Sequence, residues 1–419
     1  MISAIIIFLL IWDVKSKVPD IEWKNMPVRA MPVVQNFIGA VNLVGMQRDA
    51  STQFVGIGPI TMAPVNGNLQ NATIKFNDRV IIPDYVSWTP CSATRRTHAD
   101  ADLVINNTIR MPFATRVLFQ KWSVSKRTNI KFQLDGPMFR ACYPPSLNIT
   151  GSCGWDTHMP IDLMSYDVEI IGGSIMVTRD KTTNATSGTT FFTDCKDIPP
   201  IRLSYSSSEQ FAFEVDALCD SNCSLFMAVA AGLSTEEVIS LLQHHANEKS
   251  FEQSCADWKV HYDSAFEPTS NTFSGNLPRL ESPSSPELEN LYDWAASAFV
   301  SLERIGFLGF ERSFVISEGP SNSWEGDKDM GGSGQFTWDL SFDVLSMSLL
   351  DPEATRFVLK RIVSSSNFSA YPIGVPQSWS AYYVKKEGDG AGSYCFDYIA
   401  SFIFVTEYVR NIQVYRSFV

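Results

Sequence analysis

Short apolar runs separated by turn residues fill the first half of the chain, from about residue 33 to residue 226. The runs are rich in Val, Ile, Phe and Thr, a composition typical of β-strands. The predicted strands are Ile38–Val44, Thr73–Phe76, Arg79–Ile82, Thr115–Val124, Asn129–Gln133, Asp167–Ile171, Ser174–Thr178, Thr189–Thr193 and Phe211–Val215. Hairpin-like turns are predicted between some of these strands, at Asn66-Gly67, Asp135-Gly136 and Gly172-Gly173. Because no helical pattern interrupts these runs, the sequence predicts an antiparallel β-sandwich or barrel.

Helical spacing replaces the strand pattern after residue 226. Residues Ser234–Glu237 form a Ser-x-x-Glu capping box, which predicts the start of a helix. A second helical segment is predicted over Phe251–Tyr262, and a Pro- and Ser-rich linker over Asn271–Pro286. Pro286 stands at the first position of a helix predicted over Pro286–Ile305, which Gly306 ends. The apolar face predicted for this helix consists of Leu288, Leu291, Tyr292, Ala295, Ala298, Phe299, Leu302 and Ile305.

The C-terminal third repeats one arrangement, in which a glycine-rich polar loop precedes an apolar helix. The loop over Glu318–Gly334 precedes an apolar run over Phe336–Leu350, and the loop over Glu387–Asp397 precedes another over Tyr398–Val409. Asp351-Pro352-Glu353 opens a further helix between them. Loops gathered at one end of a helical barrel produce this pattern, and so does a set of unrelated helix caps. The pattern leaves both interpretations open.

Trp338 and Asp339 lie at the start of the run Phe336–Leu350, which is apolar on nearly every face and is therefore predicted to be buried. One interpretation is that Asp339 only caps the helix, where the dipole and free N–H groups favour a carboxylate. The other is that the pair binds a sugar, because an aromatic ring suits its C–H face and a carboxylate accepts from its hydroxyls. The other candidate sugar-binding residues, from the loops, are Trp324, Glu325, Trp379 and Glu387.

The stretch Phe336-Thr-Trp-Asp339, its apolar helix and Leu349-Leu-Asp-Pro-Glu353 together resemble the early barrel helices of six-hairpin glycosidases. The sequence is similar to glycoside hydrolase family 63, the processing α-glucosidases, and more distantly to trehalases and debranching enzymes. The resemblance covers about Ser285–Val419 and implies an (α/α)6 barrel, an α-linked glucoside or oligosaccharide as substrate, and no cofactor. It also implies an inverting mechanism in which an activated water displaces the leaving group directly, while Trp338 and Asp339 orient the sugar ring.

Two carboxyl groups on opposite sides of the glycosidic bond usually carry out glycoside hydrolysis. In the family that the sequence resembles, both come later in the chain than the Trp-Asp element. Asp339 and Asp397 are the candidate catalytic residues here, and only Glu407 follows Asp397. The resemblance therefore predicts a C-terminally incomplete barrel. Without its catalytic pair the chain would be an inactive fragment.

These patterns together predict an α+β multidomain chain, with an N-terminal antiparallel β-sandwich followed by the first helices of an (α/α)6 barrel. The expected segments are a signal peptide over residues 1–17, the sandwich over 30–230, a helical segment with linker over 231–284, and the partial barrel over 285–419. Residues 1–12 are almost continuously apolar, which fits a signal peptide, although a buried strand would show the same pattern. A bilayer span takes about 20 apolar residues, so this stretch is too short for one.

Glycosylation acceptors and cysteines favour the secretory pathway, with the endoplasmic reticulum lumen or the extracellular space as destination. The six Asn-x-Ser/Thr acceptors are Asn71, Asn106, Asn148, Asn184, Asn222 and Asn367. Among eight cysteines, the pairs Cys142–Cys153 and Cys219–Cys223 are close enough to close small loops, whereas the sequence does not pair the other four. These four are Cys91, Cys195, Cys255 and Cys395. No Cys-x-x-Cys pair occurs and the histidines are mostly scattered, so we expect no metal site.

The formal net charge of −12 argues against nucleic acid as a partner, since phosphate binding needs a basic surface. The arginines within Thr94–Arg96 are expected to form a solvated face. We expect a carbohydrate as partner and no stable membrane span, and the oligomeric state stays open. The sequence thus favours a glycoside hydrolase. The alternatives are a non-catalytic secreted carbohydrate-binding or structural β-sandwich protein, and a phosphorylase or debranching relative on the same fold.

Overall fold

The computed structural model describes residues 21–24, 33–35, 43–46, 57–62, 65–67, 72–89, 91–112, 115–135, 139–141, 166–181, 184, 186–194, 200–206, 211–268, 270–282, 284–305, 312–314 and 346–357. Before residue 72, and at a few later positions, the description covers the backbone alone. The expected signal peptide, residues 1–17, and the cysteines Cys142 and Cys153 lie outside the described residues.

Strands make up about half of the described chain. They are β1 Ile21–Lys24, β2 Val33–Gln35, β3 Leu43–Met46, β4 Ile57–Met62, β5 Val65–Gly67, β6 Ala72–Phe76, β7 Tyr85–Thr89, β8 Ser92–His98, β9 Val104–Arg110, β10 Val117–Val124, β11 Thr128–Asp135, β12 Phe139–Ala141, β13 Tyr166–Ile171, β14 Ile175–Asp180, β15 Thr186–Thr193, β16 Arg202–Ser206, β17 Phe211–Cys219, β18 Ser224–Gly232, β19 Glu303–Ile305 and β20 Arg312–Phe314. The helices are α1 Thr235–His245, α2 Glu248–Ser264 and α3 Pro286–Leu302, and residues 346–350 and 352–357 are also helical.

The strands form antiparallel sheets. The largest has nine strands in the order β1-β7-β8-β9-β10-β18-β15-β14-β13, and a second has four in the order β16-β17-β11-β6. A third has five strands, β12-β5-β4-β3-β2, and β19 and β20 form a two-stranded sheet among the described residues. Neighbouring strands in the nine-stranded sheet run antiparallel throughout. The antiparallel sheets predicted from the short apolar runs are therefore confirmed.

The nine-stranded and four-stranded sheets pack face to face as a β-sandwich. The ring of Phe132 in β11 lies 6.1 Å from that of Trp122 in β10 and 5.2 Å from that of Phe191 in β15. All three side chains are buried. The same core contains Ile74, Ile105, Ile109, Leu118, Phe213, Val215, Leu225 and Met227. Aromatic and aliphatic side chains from both inner faces thus interdigitate, as they do in aligned sheet packings.

Strand β18 explains how helices join the sandwich. All nine of its residues are buried, whereas β6, β8 and β9 alternate between buried and more exposed positions. One face of β18 belongs to the sandwich core and the other lies beneath α1 and α2. The cluster under the helices consists of Val117, Phe119, Phe226, Ala228, Ala230, Val238, Leu242 and Phe251. A strand covered on both faces is apolar throughout, which is why its sequence, Ser-Leu-Phe-Met-Ala-Val-Ala-Ala-Gly, shows no alternation.

Helix α1 begins at the predicted capping box, which is confirmed. The backbone N–H of Glu237 donates to Ser234 Oγ at 3.1 Å, and the Glu237 carboxylate accepts from the backbone N–H of Leu233 at 2.8 Å. The same carboxylate pairs with Arg116, just before β10, and so ties the helix to the sheet. A side chain at Gly188 in β15 would overlap Val238 of α1, so glycine permits this close approach.

The predicted strand over Arg79–Ile82 is wrong. Asn77 and Asp78 both adopt positive φ, at 49° and 61°, and Arg79 forms an isolated bridge back to Phe76. Left-handed backbone at two successive residues reverses the chain directly after β6. Strands β7, β8 and β9, which the apolar runs did not predict, follow this turn.

Helix α3 differs from its prediction at its end and on its apolar face. It ends at Leu302 rather than Ile305, because residues 303–305 pair with β20 instead. Leu288 and Leu291 are exposed, whereas Ala296 and Val300 are buried. Among the described helices, none is both long and apolar enough to cross a membrane.

The expectation that Thr94–Arg96 form a solvated face is wrong at Arg95. The alternation of β8 turns Arg95 toward the interior of the sandwich, where its side chain is completely buried. Its Nε and Nη2 donate to Asn107 Oδ1 at 3.1 and 2.6 Å, and that oxygen also accepts from Gln120 Nε2 at 3.2 Å. Burial lowers the pKa of Arg95 to about 9. A buried guanidinium requires such hydrogen bonds, because burial without them would cost several kcal/mol.

The disulfides differ from the sequence prediction. Cys91, between β7 and β8, is bonded to Cys255 of α2 across a separation of 164 residues. The predicted Cys219–Cys223 loop is wrong, because Cys219 is a buried free thiol and Cys223 belongs to a disulfide. The Cys91–Cys255 bond joins the sandwich covalently to the helices that follow it.

Candidate functional site

The candidate sugar-binding and catalytic residues lie outside the described residues. They are Trp324, Glu325, Trp338, Asp339, Trp379, Glu387 and Asp397. The described segment nearest to the Trp338–Asp339 element is 346–357, which follows it by a few residues. This segment is called the anchor segment below.

The anchor segment consists of two helical pieces joined at Asp351. Met347 and Leu350 are completely buried, which confirms that the end of the predicted apolar run is buried. Asp351 Oδ1 accepts from the backbone N–H of Ala354 at 3.1 Å, and Pro352 follows as the first helical residue. A carboxylate at the N-cap followed by proline is a favourable helix start. The helix predicted to open at Asp351-Pro352-Glu353 is therefore confirmed.

Residues 274 and 275, inside the predicted linker, bind the anchor segment. Ser274 Oγ donates to Asp351 Oδ1 at 2.5 Å and accepts from the backbone N–H of Glu353 at 2.9 Å. The backbone N–H of Gly275 donates to the Leu350 carbonyl at 3.1 Å. A Cβ at Gly275 would overlap the Leu349 carbonyl oxygen, so only glycine allows this contact without displacing backbone.

The same stretch contributes to a second hydrophobic core. Phe273 and Leu277 are buried there, so this part of the predicted linker is packed rather than free. The core consists of Cys91, Trp258, Tyr262, Ala265, Phe266, Phe273, Leu277, Ala296, Val300, Met347, Leu350 and Ala354. It therefore brings α2, α3 and the anchor segment together around one interior.

Trp258 and Tyr262 form the centre of this second core. Their rings stack with centroids 5.3 Å apart, and the Tyr262 hydroxyl donates to the Asp293 carbonyl of α3 at 3.1 Å. Burial raises the pKa of the Tyr262 phenol, and the negative charge of Asp293 raises it further. The phenol therefore stays protonated and acts as a hydrogen-bond donor between α2 and α3.

Other reactive side chains within the described ranges do not assemble into a metal site. No group of three His, Cys, Asp or Glu residues there could hold a metal ion. His244 is exposed, with its Nδ1 2.7 Å from the Ser240 carbonyl oxygen, and His261 is buried against the ring of Phe273. Burial raises the pKa of the Cys219 thiol to about 11, so it is a poor nucleophile near neutral pH.

Two features that position the anchor segment carried little signal in the sequence. Gly275 stands in a Ser- and Pro-rich stretch where a glycine ordinarily indicates a turn. Cys91 follows Pro90 at a turn, which suits a disulfide but does not identify Cys255 as its partner. Both contacts join residues more than 70 positions apart, and local patterns do not encode such distant pairs.

No protein-family model matches the chain, and no curated protein matches it either. Among solved structures, a bacterial glucoamylase complexed with acarbose is 9% identical, covers 96% of this chain and 60% of its own, and has a TM-score of 0.50. A family GH92 α-mannosidase from Bacteroides thetaiotaomicron is 10% identical over 67% of this chain and 41% of its own, with a TM-score of 0.37. A protein from the human microbiome assigned as a kojibiose phosphorylase is 12% identical over 83% and 43%, with a TM-score of 0.42.

The similarity is one of fold. The chain covers less than two thirds of each of these proteins, and the fold similarity rests on the glucoamylase, at a TM-score of 0.50. At 9% identity that match shows a shared architecture and not a shared activity. A glycosidase-type fold, which the sequence resemblance implied, is supported at this coarse level. Membership of family 63 and the first helices of an (α/α)6 barrel stay predictions.

Proposed function

We propose that this chain is part of a glycoside hydrolase that acts on an α-linked glucoside or oligosaccharide. The observation that carries the proposal is the similarity in fold to a glucoamylase over 96% of the chain. That glucoamylase was solved with acarbose bound, so a carbohydrate-type ligand occupies that protein. This chain covers 60% of the length of that glucoamylase. The activity of a whole enzyme of this fold is therefore proposed for this chain and not shown.

Trp338 and Asp339 are the residues proposed to orient the sugar. The Trp338 ring would cover the C–H face of one sugar ring, and the Asp339 carboxylate would accept from its hydroxyls. Trp324, Glu325, Trp379 and Glu387 are proposed to complete the binding surface from the neighbouring loops. None of these roles requires a cofactor or a metal.

The anchor segment supports this proposal because it follows the Trp338–Asp339 element closely in sequence and is itself packed and hydrogen-bonded. Six residues separate Asp339 from residue 346, where the described helix begins. Met347 and Leu350 are buried, and Ser274 and Gly275 bind the segment from the other side. Residues that orient a substrate need such a support, since small displacements cost much of the rate.

The proposed reaction is hydrolysis with inversion at the anomeric carbon. A carboxylate deprotonates a water, the water oxygen bonds to C1, the C1–O glycosidic bond breaks, and a carboxylic acid protonates the departing oxygen. Asp339 and Asp397 are the candidates within this chain. An acid and a base supplied by sequence outside this chain would leave Asp339 with the orienting role alone.

Release of glucose from α-linked disaccharides tests the proposal. The full chain is incubated with maltose, kojibiose, nigerose and trehalose, and proton NMR identifies the anomer formed first. We expect release of the β-anomer, and a loss of about a hundredfold or more in Asp339→Asn. Glu353→Gln is the matched control, because Glu353 is exposed and close in sequence.

Each outcome separates the alternatives. An equal rate for Asp339→Asn and Glu353→Gln would contradict the role of Asp339. Saturable sugar binding without hydrolysis would favour a chain without a catalytic pair, either the inactive fragment or the non-catalytic carbohydrate-binding protein. Cleavage only in the presence of inorganic phosphate would favour a phosphorylase, in which phosphate replaces water as the nucleophile.

A further inference from the structure

Three of the six glycosylation acceptors lie within the described residues, and their surroundings differ. Asn184 and Asn222 are exposed residues in connections between strands, the first between β14 and β15 and the second between β17 and β18. Asn106 lies within β9 and is only partly exposed. An Asn-x-Ser/Thr sequence alone does not distinguish these environments.

The connection at Asn184 suits an outward-pointing modification. Asn184 adopts φ +61°, a left-handed conformation that asparagine tolerates better than most residues. Its backbone N–H donates to the Asp180 carbonyl at 2.9 Å, and its carbonyl accepts from the Thr186 hydroxyl at 2.8 Å. These bonds use the backbone of Asn184 rather than its carboxamide, so a substituent on the carboxamide nitrogen would leave them intact.

The connection at Asn222 is similar. Asp220, Ser221 and Asn222 are all exposed, and the backbone N–H of Cys223 donates to the Asp220 carbonyl at 3.0 Å. The chain returns to the sheet at Ser224, whose backbone N–H donates to Asp194 Oδ1 at 2.6 Å. Asn222 therefore projects from a turn that is held by its neighbours.

Asn106 is placed differently. It faces Arg96 of β8 on one side and Ser123 of β10 on the other, in the interior of the nine-stranded sheet. Arg96 stacks on the ring of Tyr85, and the hydroxyl of Thr108, the third residue of this acceptor sequence, lies 3.1 Å from that of Thr94. A sugar at Asn106 would lie against these side chains rather than in solvent.

We propose that Asn184 and Asn222 carry N-linked glycans and that Asn106 does not. In the modification, the carboxamide nitrogen bonds to C1 of an N-acetylglucosamine on a lipid-pyrophosphate-linked oligosaccharide. The C1–O bond to the pyrophosphate breaks, the lipid pyrophosphate leaves with the electron pair, and the amide gives up one proton. The Cys91–Cys255 disulfide supports passage through an oxidising compartment where this reaction occurs. The inference is independent of the proposed glycosidase activity.

Glycopeptide mapping tests the proposal. The full chain is expressed from its own N-terminus in cultured eukaryotic cells, and peptide-N-glycosidase in ¹⁸O-water marks every asparagine that carried a glycan. We expect the label at Asn184 and Asn222, and none at Asn106. The Asn184→Asp variant should lose one glycan, and aspartate tolerates the left-handed backbone at this position. The control variant Thr186→Ser preserves the acceptor sequence and should retain the glycan.

Unlabelled Asn184 and Asn222 in full-length protein would overturn the inference, whether the protein is secreted or retained. Label at Asn106 equal to that at Asn184 would overturn the inference that the position of Asn106 in the sheet keeps it unmodified. Sugar-release assays on the same preparations report separately on the proposed function.

Discussion

Removal of the Cys91–Cys255 disulfide should release the helical part of the chain from the sandwich. The bond closes a loop of 164 residues between the β7–β8 turn and α2. For such a loop the chain-entropy relation gives about 5 kcal/mol of stabilisation. Residual structure in the unfolded chain commonly reduces this gain, and we expect a loss of about 3–5 kcal/mol.

The double variant Cys91→Ala, Cys255→Ala provides the test. Urea unfolding followed by tryptophan fluorescence measures stability, and hydrogen exchange locates the loss. Exchange should rise in α2, α3 and the anchor segment and change little in the sandwich core around Trp122. Cys219→Ala is the matched control, because it removes a buried sulfur without opening a loop and should cost only about 1 kcal/mol.

Two results would refute this reasoning. One is a double variant no less stable than Cys219→Ala, which would mean that non-covalent packing alone holds the helices. The other is alkylation of Cys91 and Cys255 in the folded, unreduced protein, which would mean that the bond is not formed.

Three further predictions concern single residues. Gly275→Ala should cost about 2–3 kcal/mol and loosen the anchor segment in hydrogen exchange, because the added Cβ meets the Leu349 carbonyl; unchanged exchange there would contradict the contact. Ser234→Ala should cost about 1 kcal/mol through loss of the bond to Glu237, measured by urea unfolding, and Ser234→Asp should restore most of it. The folded-state pKa of Cys219, about 11, lies above its ordinary value of 9.0. The contribution of the neutral thiol to the free energy of unfolding is therefore fully present below pH 9 and is lost as pH rises toward 11. The urea midpoint should therefore fall over that range, and fall less in Cys219→Ala; equal slopes would contradict the assignment.

The sandwich could be predicted because its strands bury residues in local patterns. Runs such as Thr115–Val124 and Asn129–Gln133 coincide closely with β10 and β11, and the capping box at Ser234 begins α1 as predicted. In each case the prediction rests on a short repeat of apolar positions or on a four-residue motif, and both depend only on residues that are close in sequence.

Strands β8 and β9 could not be predicted because their interior contains polar side chains. Arg95 donates a hydrogen bond to Asn107 across the paired strands. The residues next to either one in sequence do not predict this contact. The face of α3 that is buried depends on packing against Trp258 and Tyr262, so the exposed Leu288 was assigned to the wrong side. Tertiary contacts, rather than helical periodicity, determine which face of the helix is buried.

The candidate site could be predicted only in part. The buried end of the apolar run and the helix start at Asp351 are confirmed, whereas Trp338 and Asp339 lie outside the described residues. The contact through Ser274 and Gly275 was not predicted, since it joins a stretch that reads as a free linker to a helix 77 residues away. The sugar-binding roles of Trp338 and Asp339 stay predictions.

Calorimetric titration with acarbose tests the central claim most directly. Trp338→Ala is compared with Trp294→Ala, which removes an exposed tryptophan from α3 and is the matched control. We expect saturable binding by the unmodified chain, about tenfold weaker binding by Trp338→Ala, and unchanged binding by Trp294→Ala. Folded protein that does not bind acarbose, or equal affinities for the two variants, would contradict it.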